Sequence, residues 1–269
     1  MGLPVRFVTG EGPQFDTPIR NKTDLNGLKS VDVEKDLGYV MSAIQQTKAG
    51  LPEGLPLIGF SGSPWTLAAY MIEGGGSKQW LHPRMCAYQQ PQLLLALLQQ
   101  LTAVVIDYVN AQVAAGADAI MIFDSWGGLL SFEGYQQFSL QFMQQIAQGM
   151  TRQRNGQTVP LIFYTKQAAP WLSLLADSGC DAVGLDWTVD LKQARQAVGH
   201  AITLQGNLDP CVLFADEATI KQRVDAILDD MQGHPHVFNL GHGIDQHTPI
   251  SGVMSMFDAF NNYHQSQEH

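Results

Sequence analysis

Apolar residues in this chain fall into two kinds of pattern, long runs at helical spacing and short unbroken blocks. The block Asp118-Ala119-Ile120-Met121-Ile122-Phe123 follows a helical run that stops at Gly116, a residue suited to a left-handed helix cap. It is too short for a helix, and its apolar residues do not alternate with polar ones. Both of its faces must therefore be covered, as in a parallel sheet with helices packed on it. The block turns polar at Asp124-Ser125. The same order returns at Ser178-Gly179-Cys180-Asp181-Ala182-Val183-Gly184-Leu185-Asp186-Trp187. One strand-and-helix unit is repeated, and its chemistry is expected where the strands end.

The other elements follow the same logic. Val5-Arg6-Phe7-Val8, then Gly10-Glu11-Gly12-Pro13 and Phe15, reads as a surface β-hairpin. Residues 32–47 carry Leu37, Val40, Met41 and Ile44 at helical spacing, and the first buried strand, 56–60, comes after them. Ser63 and Pro64 read as the cap and first turn of a helix running through Tyr70, about two turns beyond the strand tip. The Gly74-Gly75-Gly76-Ser77-Lys78 run has the Ser and Lys of a phosphate loop in reversed order and follows a helix, so a flexible loop is expected there. Residues 91–115 form one long helix that buries Leu94, Leu97, Leu98, Leu101, Val105, Tyr108 and Val109; a later helix places Tyr135, Phe138, Phe142 and Ile146 on one face. Strands at 160–164, 181–185, 201–204 and 236–240 alternate with helices around 171–176, 191–198, 218–231 and 249–263, two of them started by Asp190 and by Thr248-Pro249.

This alternation predicts an α/β fold with right-handed crossovers, best matched by an eight-fold (β/α) barrel of the TIM type. Such barrels build their sites at the C-terminal strand ends. Here those ends read Phe60-Ser61, Asp124-Ser125, Thr165-Lys166, Asp186-Trp187, Gly206-Asn207 and Gly241-His242. A doubly wound dinucleotide-binding sheet would need a Gly-x-Gly-x-x-Gly turn after an early strand, and there is none.

Composition narrows the function. A chain of 269 residues fits one α/β domain, taken as 1–269. A formal charge of -10 without clustered Lys or Arg argues against nucleic acid or an anionic membrane as partner. Cys86, Cys180 and Cys211 are odd in number and widely spaced, which suits a reducing compartment and neither a disulfide framework nor a Cys-based zinc site. No apolar run is expected to reach the roughly 20 residues that span a bilayer, and the N-terminus does not read as a signal peptide, so a cytoplasmic protein is expected.

Few residues stand out chemically. His242, between Gly241 and Gly243 at a strand tip, is a ligand-contacting candidate rather than a turn histidine. Tyr70 has apolar neighbours and reads by itself slightly better as a core tyrosine with a satisfied hydroxyl than as a ligand contact. Ser125 lacks a Gly-x-Ser-x-Gly context, so it suits a hydrogen bond to a ligand better than nucleophilic attack. Asp124 and Asp186 give only a weak signal for a carboxylate pair, and Lys166 is the cation at a strand tip. His236 opens the strand that His242 closes, roughly 20 Å away at about 3.3 Å per residue, so the two cannot share a metal.

Taken together, Phe60-Ser61-Gly62-Ser63-Pro64-Trp65-Thr66-Leu67, Tyr70-Met71-Ile72-Glu73-Gly74-Gly75, Phe123-Asp124-Ser125-Trp126-Gly127-Gly128, Gly184-Leu185-Asp186-Trp187, Leu204-Gln205-Gly206-Asn207-Leu208-Asp209-Pro210 and Asn239-Leu240-Gly241-His242-Gly243-Ile244 resemble the bacterial uroporphyrinogen decarboxylases. The resemblance runs the length of the chain, in order. It implies a distorted (β/α) barrel, a cytosolic homodimer without metal or cofactor, and removal of carbon dioxide from the four acetates of uroporphyrinogen III to give coproporphyrinogen III on the route to haem. Tyr70, Ser125 and His242 match that family's substrate-contacting Tyr, Ser/Thr and His. Members of the family begin with a further stretch holding an Arg-Gln-Ala-Gly-Arg motif and an aspartate loop, and neither occurs here. The resemblance thus leads to the expectation of a barrel lacking its first two strands, with no catalytic residue identified in these 269 residues and impaired turnover. The alternative is a remnant of the same fold that binds a porphyrinogen or a partner without converting it. The corrinoid methyltransferases, a related barrel family, hold zinc with a His-x-Cys motif, and Phe163-Tyr164-Thr165-Lys166-Gln167 has neither residue type.

Overall fold

The computed structural model describes residues 1–8 and 12–267. The chain divides into two compact units, Met1–Tyr164 and Thr165–His269.

The first unit opens with an antiparallel pair, β1 (Val5–Val8) and β2 (Gly12–Phe15), with Val5 opposite Phe15. This is the expected hairpin, though its turn at Gly10-Glu11 lies outside the described residues. Helices α1 (Lys22–Asn26) and α2 (Val33–Gly50) follow, capped by the Asn21 and Asp32 side chains. Next come β3 (Ile58–Gly62) and α3 (Pro64–Glu73), the latter started as predicted by Ser63, whose hydroxyl accepts from Thr66 N. The glycine run after α3 is anchored rather than loose. Gly74 caps the helix with a left-handed φ of 93°, its carbonyl accepts from Phe15 N at 2.8 Å, and Ser77 Oγ accepts from Trp80 N at 3.0 Å.

Helices α4 (Leu81–Gln89) and α5 (Pro91–Ala115) lead through Gly116, at a φ of 123°, into β4 (Ala119–Asp124). Helix α5 is long and apolar enough to cross a membrane by length and composition, contrary to the expectation that no run comes near that limit. Its Leu94, Leu97, Leu98 and Leu101 are packed into a core with Trp65, Met71, Phe138 and Phe142, so its apolar stripe is used within the unit. Helices α6 (Phe132–Tyr135) and α7 (Gln141–Gly149) are joined by a π-helical turn, Gln136–Leu140, and bury Tyr135, Phe138, Phe142 and Ile146 as predicted. A small unpredicted hairpin, β5 (Gln153–Arg154) and β6 (Gln157–Thr158), precedes β7 (Leu161–Thr165). Its turn is Asn155-Gly156, both at positive φ, the pairing that two-residue hairpins favour.

Strands β3 and β4 pair in parallel with Phe60 opposite Met121, and β4 lies between β3 and β7. All of β7 is buried, as the unbroken apolar blocks predict, but β3 alternates: Gly59 and Ser61 are covered while Ile58 and Phe60 are exposed. On its covered side Gln112 of α5 accepts from Phe60 N and donates to Phe60 O, both at 2.9 Å, satisfying that residue as a neighbouring strand would. A side chain at Gly59 would meet Gln112 Oε1 at 2.5 Å, so adding one would displace the Gln112 carboxamide from these bonds.

The second unit repeats strand and helix: α8 (Leu172–Ala176), β8 (Ala182–Gly184), α9 (Leu191–Val198), β9 (Thr203–Leu208), α10 (Glu217–Asp230), β10 (His236–Leu240) and α11 (Ile250–Gln267). Asp190 caps α9 as expected; at the start of α11 Val253 N donates to Pro249 O, but the Thr248 hydroxyl is buried with no partner among the described residues, so it does not cap the helix as expected. The strands run β8-β9-β10 in parallel, with Ala182 opposite Thr203 and His236 opposite Leu204. β9 begins and ends later than expected, so Gly206-Asn207 lies inside the strand instead of beyond it. A polar residue can sit there because the Asn207 carboxamide donates to Asp186 O at 2.8 Å and Val189 O at 2.7 Å. Strand β10 exposes one face, Val237 and Asn239, and so also departs from the fully covered strand that was predicted.

In each unit a charged side chain fastens the strand beginnings. Asp118 accepts from Leu57 N at 2.7 Å, pairs with Arg154 at 2.9 Å and bonds Lys48, tying the residues that enter β3 and β4. In the second unit Arg195, 6% exposed, donates to Gly199 O, Ile202 O and Pro235 O, each at 2.7 Å, at the entries to β9 and β10.

Candidate functional site

In the first unit the chemistry gathers at the end of β4. Asp124 is fully buried and accepts from Ser63 Oγ at 2.6 Å, Ser139 Oγ at 2.7 Å and Thr66 Oγ1 at 3.3 Å. Its carboxylate is thus engaged by hydroxyls of its own unit, and it fastens β4 to α3 and to the π turn. The next residue, Ser125, is half-buried and its hydroxyl bonds no other protein group among the described residues. No base is bonded to it there, in keeping with a donor to a ligand rather than a nucleophile.

The turn after Ser125 is held by the helix that carries Tyr70. Trp65 Nε1 donates to Trp126 O at 2.9 Å, and Trp126 N donates to Thr66 Oγ1 at 3.4 Å. The half-buried Tyr70 ring lies edge-on to Trp80 at 4.7 Å and 6.3 Å from Trp126, while Trp80 and Trp126 are 4.4 Å apart. Tyr70 is therefore brought beside the Ser125-Trp126 turn. Its hydroxyl, too, bonds no other protein group among the described residues, which sets it apart from a core tyrosine with a satisfied hydroxyl.

Trp80 was not singled out by the sequence. It is 1% exposed and sits ahead of α4 in a left-handed conformation, φ 50° and ψ 47°. For a bulky residue that conformation costs about 1 to 3 kcal/mol. Burying an indole of roughly 150–250 Å² at about 25 cal/mol per Å² is worth about 4 to 6 kcal/mol, so packing outweighs the strain.

In the second unit Asp186, 1% exposed, accepts from Thr188 N at 2.8 Å and from Gln167 N, which fixes the turns after β7 and β8. The two carboxylates read as a weak pair, Asp124 and Asp186, are each taken up by donors of their own unit. Trp187 meets the His242 ring edge-on at 6.1 Å, and the Lys166 ammonium lies 5.8 Å from the Trp187 ring centre, within cation–π range. His242 is exposed and borders a cleft of about 270 Å³ lined also by Trp187, Asp209, Pro210, Cys211 and Phe214. An imidazole and an ammonium against an indole can hold an anionic group attached to a flat apolar body. His236 stands elsewhere, its Nε2 at 2.7 Å from Gly206 O, and burial holds its pKa below the usual value for histidine.

A family model described as "Uroporphyrinogen decarboxylase (URO-D)" matches residues 1–263. The chain belongs to the uroporphyrinogen decarboxylase family. A uroporphyrinogen decarboxylase from Tolumonas auensis is 50% identical over 99% of this chain and 76% of the relative. One from Alcanivorax borkumensis is 51% identical over 91% of this chain and 69% of its own length. Among solved structures, a methyltransferase from Methanosarcina mazei matches with a TM-score of 0.82 at 23% identity, over 98% of this chain and 76% of that one. A B12-independent methionine synthase from Shewanella sp. W3-18-1 matches at 0.62 with 10% identity, over 99% and 74%. At these identities the likeness is one of fold, and it agrees with the α/β, TIM-type class expected from the repeated unit.

Proposed function

We propose that this chain is a uroporphyrinogen decarboxylase, removing carbon dioxide from the four acetate side chains of uroporphyrinogen III to give coproporphyrinogen III in haem biosynthesis. The observation that carries this reading is membership of the family over residues 1–263, with relatives of that name about half identical across most of their length. In the chemistry, a proton added to the pyrrole ring lets it accept the electron pair of the breaking C–CO2 bond. A second proton then turns the remaining methylene into a methyl group, and loss of the first proton from the ring carbon restores the pyrrole.

Tyr70, Ser125 and His242 are the substrate contacts in this reading. Two hydroxyls without protein partners among the described residues suit the carboxylates of the substrate, and His242 beside Trp187 suits a carboxylate on a pyrrole. Residues 1–269 act as one barrel domain of a cytoplasmic homodimer that needs no cofactor, and three cysteines outside any disulfide fit that compartment. A second reading, binding without turnover, draws on one observation: the buried carboxylates at the strand tips, Asp124 and Asp186, are already engaged by protein donors.

The test is chromatography of uroporphyrinogen III incubated with the protein, and coproporphyrinogen III is the expected product. Assayed by themselves, the 269 residues are expected to turn over at least about 100-fold more slowly than when joined to a relative's segment bearing the Arg-Gln-Ala-Gly-Arg motif, the usual scale for losing a charge-stabilising group. Equal rates would refute the need for those charges. Porphyrin binding with no turnover in either form would favour the second reading.

A further inference from the structure

We infer that Trp80 is a positioning residue for the proposed site: its indole fixes the direction of the Tyr70 hydroxyl relative to Ser125. The inference rests on the reading of Tyr70 as a substrate contact. Trp80 packs against both aromatic neighbours, 4.7 Å from Tyr70 and 4.4 Å from Trp126, while those two rings are 6.3 Å apart. It therefore fills the space that would let the Tyr70 ring swing. The backbone there is set on purpose by its surroundings, because a tryptophan takes a left-handed conformation only when the packing around it over-determines the choice.

Three contacts hold this arrangement from different directions. Ser77 Oγ accepts from Trp80 N, Trp65 Nε1 holds Trp126 O, and Gly74 ends the helix of Tyr70 against the carbonyl-bonded strand β2. The indole N–H of Trp80 is buried and bonds nothing among the described residues, so the side chain acts through its shape. A hydroxyl that bonds no protein group among the described residues would otherwise be free to turn. Held by ring packing alone, it is aimed without being occupied.

Two readouts test this on the full chain. With 3-fluorotyrosine incorporated and the Tyr70 signal identified by its loss in Tyr70→Phe, Trp80→Gly should move that signal toward its position in the unfolded chain, leaving the other tyrosine signals in place. Trp80→Phe, which keeps a ring, should hold it near its parent position. Should Trp80→Gly fail to fold, Trp80→Leu serves, since it keeps apolar bulk without the flat ring and should also move the signal. An unmoved Tyr70 signal in a folded Trp80→Gly or Trp80→Leu protein overturns the inference alone. In titrations with uroporphyrin III, Tyr70→Phe and Trp80→Gly (or Trp80→Leu) should each weaken binding about tenfold, and the double variant no further, because both act through one hydroxyl. Multiplying losses would mark Trp80 as merely structural. A Tyr70 signal that moves while Tyr70→Phe leaves binding unchanged would refute the substrate role of Tyr70, and this inference with it.

Discussion

Replacing Asp124 by alanine removes the acceptor for three hydroxyls, those of Ser63, Thr66 and Ser139, all of them buried. A hydrogen bond to a charged group contributes about 1.5 to 3 kcal/mol, and each buried hydroxyl left without a partner costs about 1 to 3 kcal/mol. The effects are not additive. Thr66 Oγ1 sits at the long distance of 3.3 Å and also accepts from Trp126 N, and Ser63 Oγ keeps its bond from Thr66 N at the head of α3. The expected loss is therefore about 3 to 5 kcal/mol, the range for breaking one partner out of a buried charged network. Against a typical total stability of about 5 to 15 kcal/mol that is a large share. Asp124→Asn keeps one acceptor oxygen and should lose about 1 to 2 kcal/mol, as should Ser139→Ala, which removes a single donor. Urea denaturation followed by circular dichroism measures all three, with midpoints compared at a common slope. An Asp124→Ala protein within about 1 kcal/mol of the parent would refute the claim that this carboxylate fastens β4 to α3 and the π turn.

Two further outcomes follow from the same geometry. His236 is held neutral by burial, whereas the unfolded chain takes up its proton near about pH 6.5, so the unfolded state binds more protons in that window and stability must fall as pH drops below it. His236→Gln should flatten this slope in urea midpoints measured between about pH 8 and 5, and an equal slope in both proteins would contradict the assignment. Tyr70→Phe and His242→Ala should each weaken uroporphyrin binding by about 0.5 to 3 kcal/mol with folding nearly unaffected, and unchanged titrations of both would return them to structural roles.

Much of the fold was legible because it rests on local chemistry. Ser63-Pro64, Asp32 and Asp190 start helices where their side chains can accept from backbone N–H groups, and Gly116 ends α5 where a positive φ is needed. The misreadings share a cause, since they depend on neighbours far along the chain. Phe60 and Val237 look like core residues by type, yet they point to uncovered faces of β3 and β10. Asn207 looks like a loop residue, yet distant carbonyls receive its amide inside β9. Asn155-Gly156 carried a sound hairpin signal in the sequence, overlooked because the flanking strands are only two residues each. Residue type flagged Ser125 and His242 but leaned toward a core role for Tyr70, which the family resemblance added, and it could not tell Ser125, whose hydroxyl bonds no protein group among the described residues, from the engaged Asp124 beside it. Nor could it find Trp80, whose importance lies in a backbone conformation that tryptophan does not advertise.

The placement of Asp118 and Arg195 bears on how such a chain can change over time. Both grip the residues from which strands set out: Leu57 and Asp118 itself in one unit, Ile202 and Pro235 in the other. Within each unit strand alignment is thus decided at the strand starts, away from the strand ends that carry Ser125 in the first unit and His242 in the second. Loops that bear the chemistry can then be exchanged, lengthened or drawn from a cousin with another substrate while the register stays locked behind them. A sheet anchored in this way can have one end rewritten without unravelling from the other.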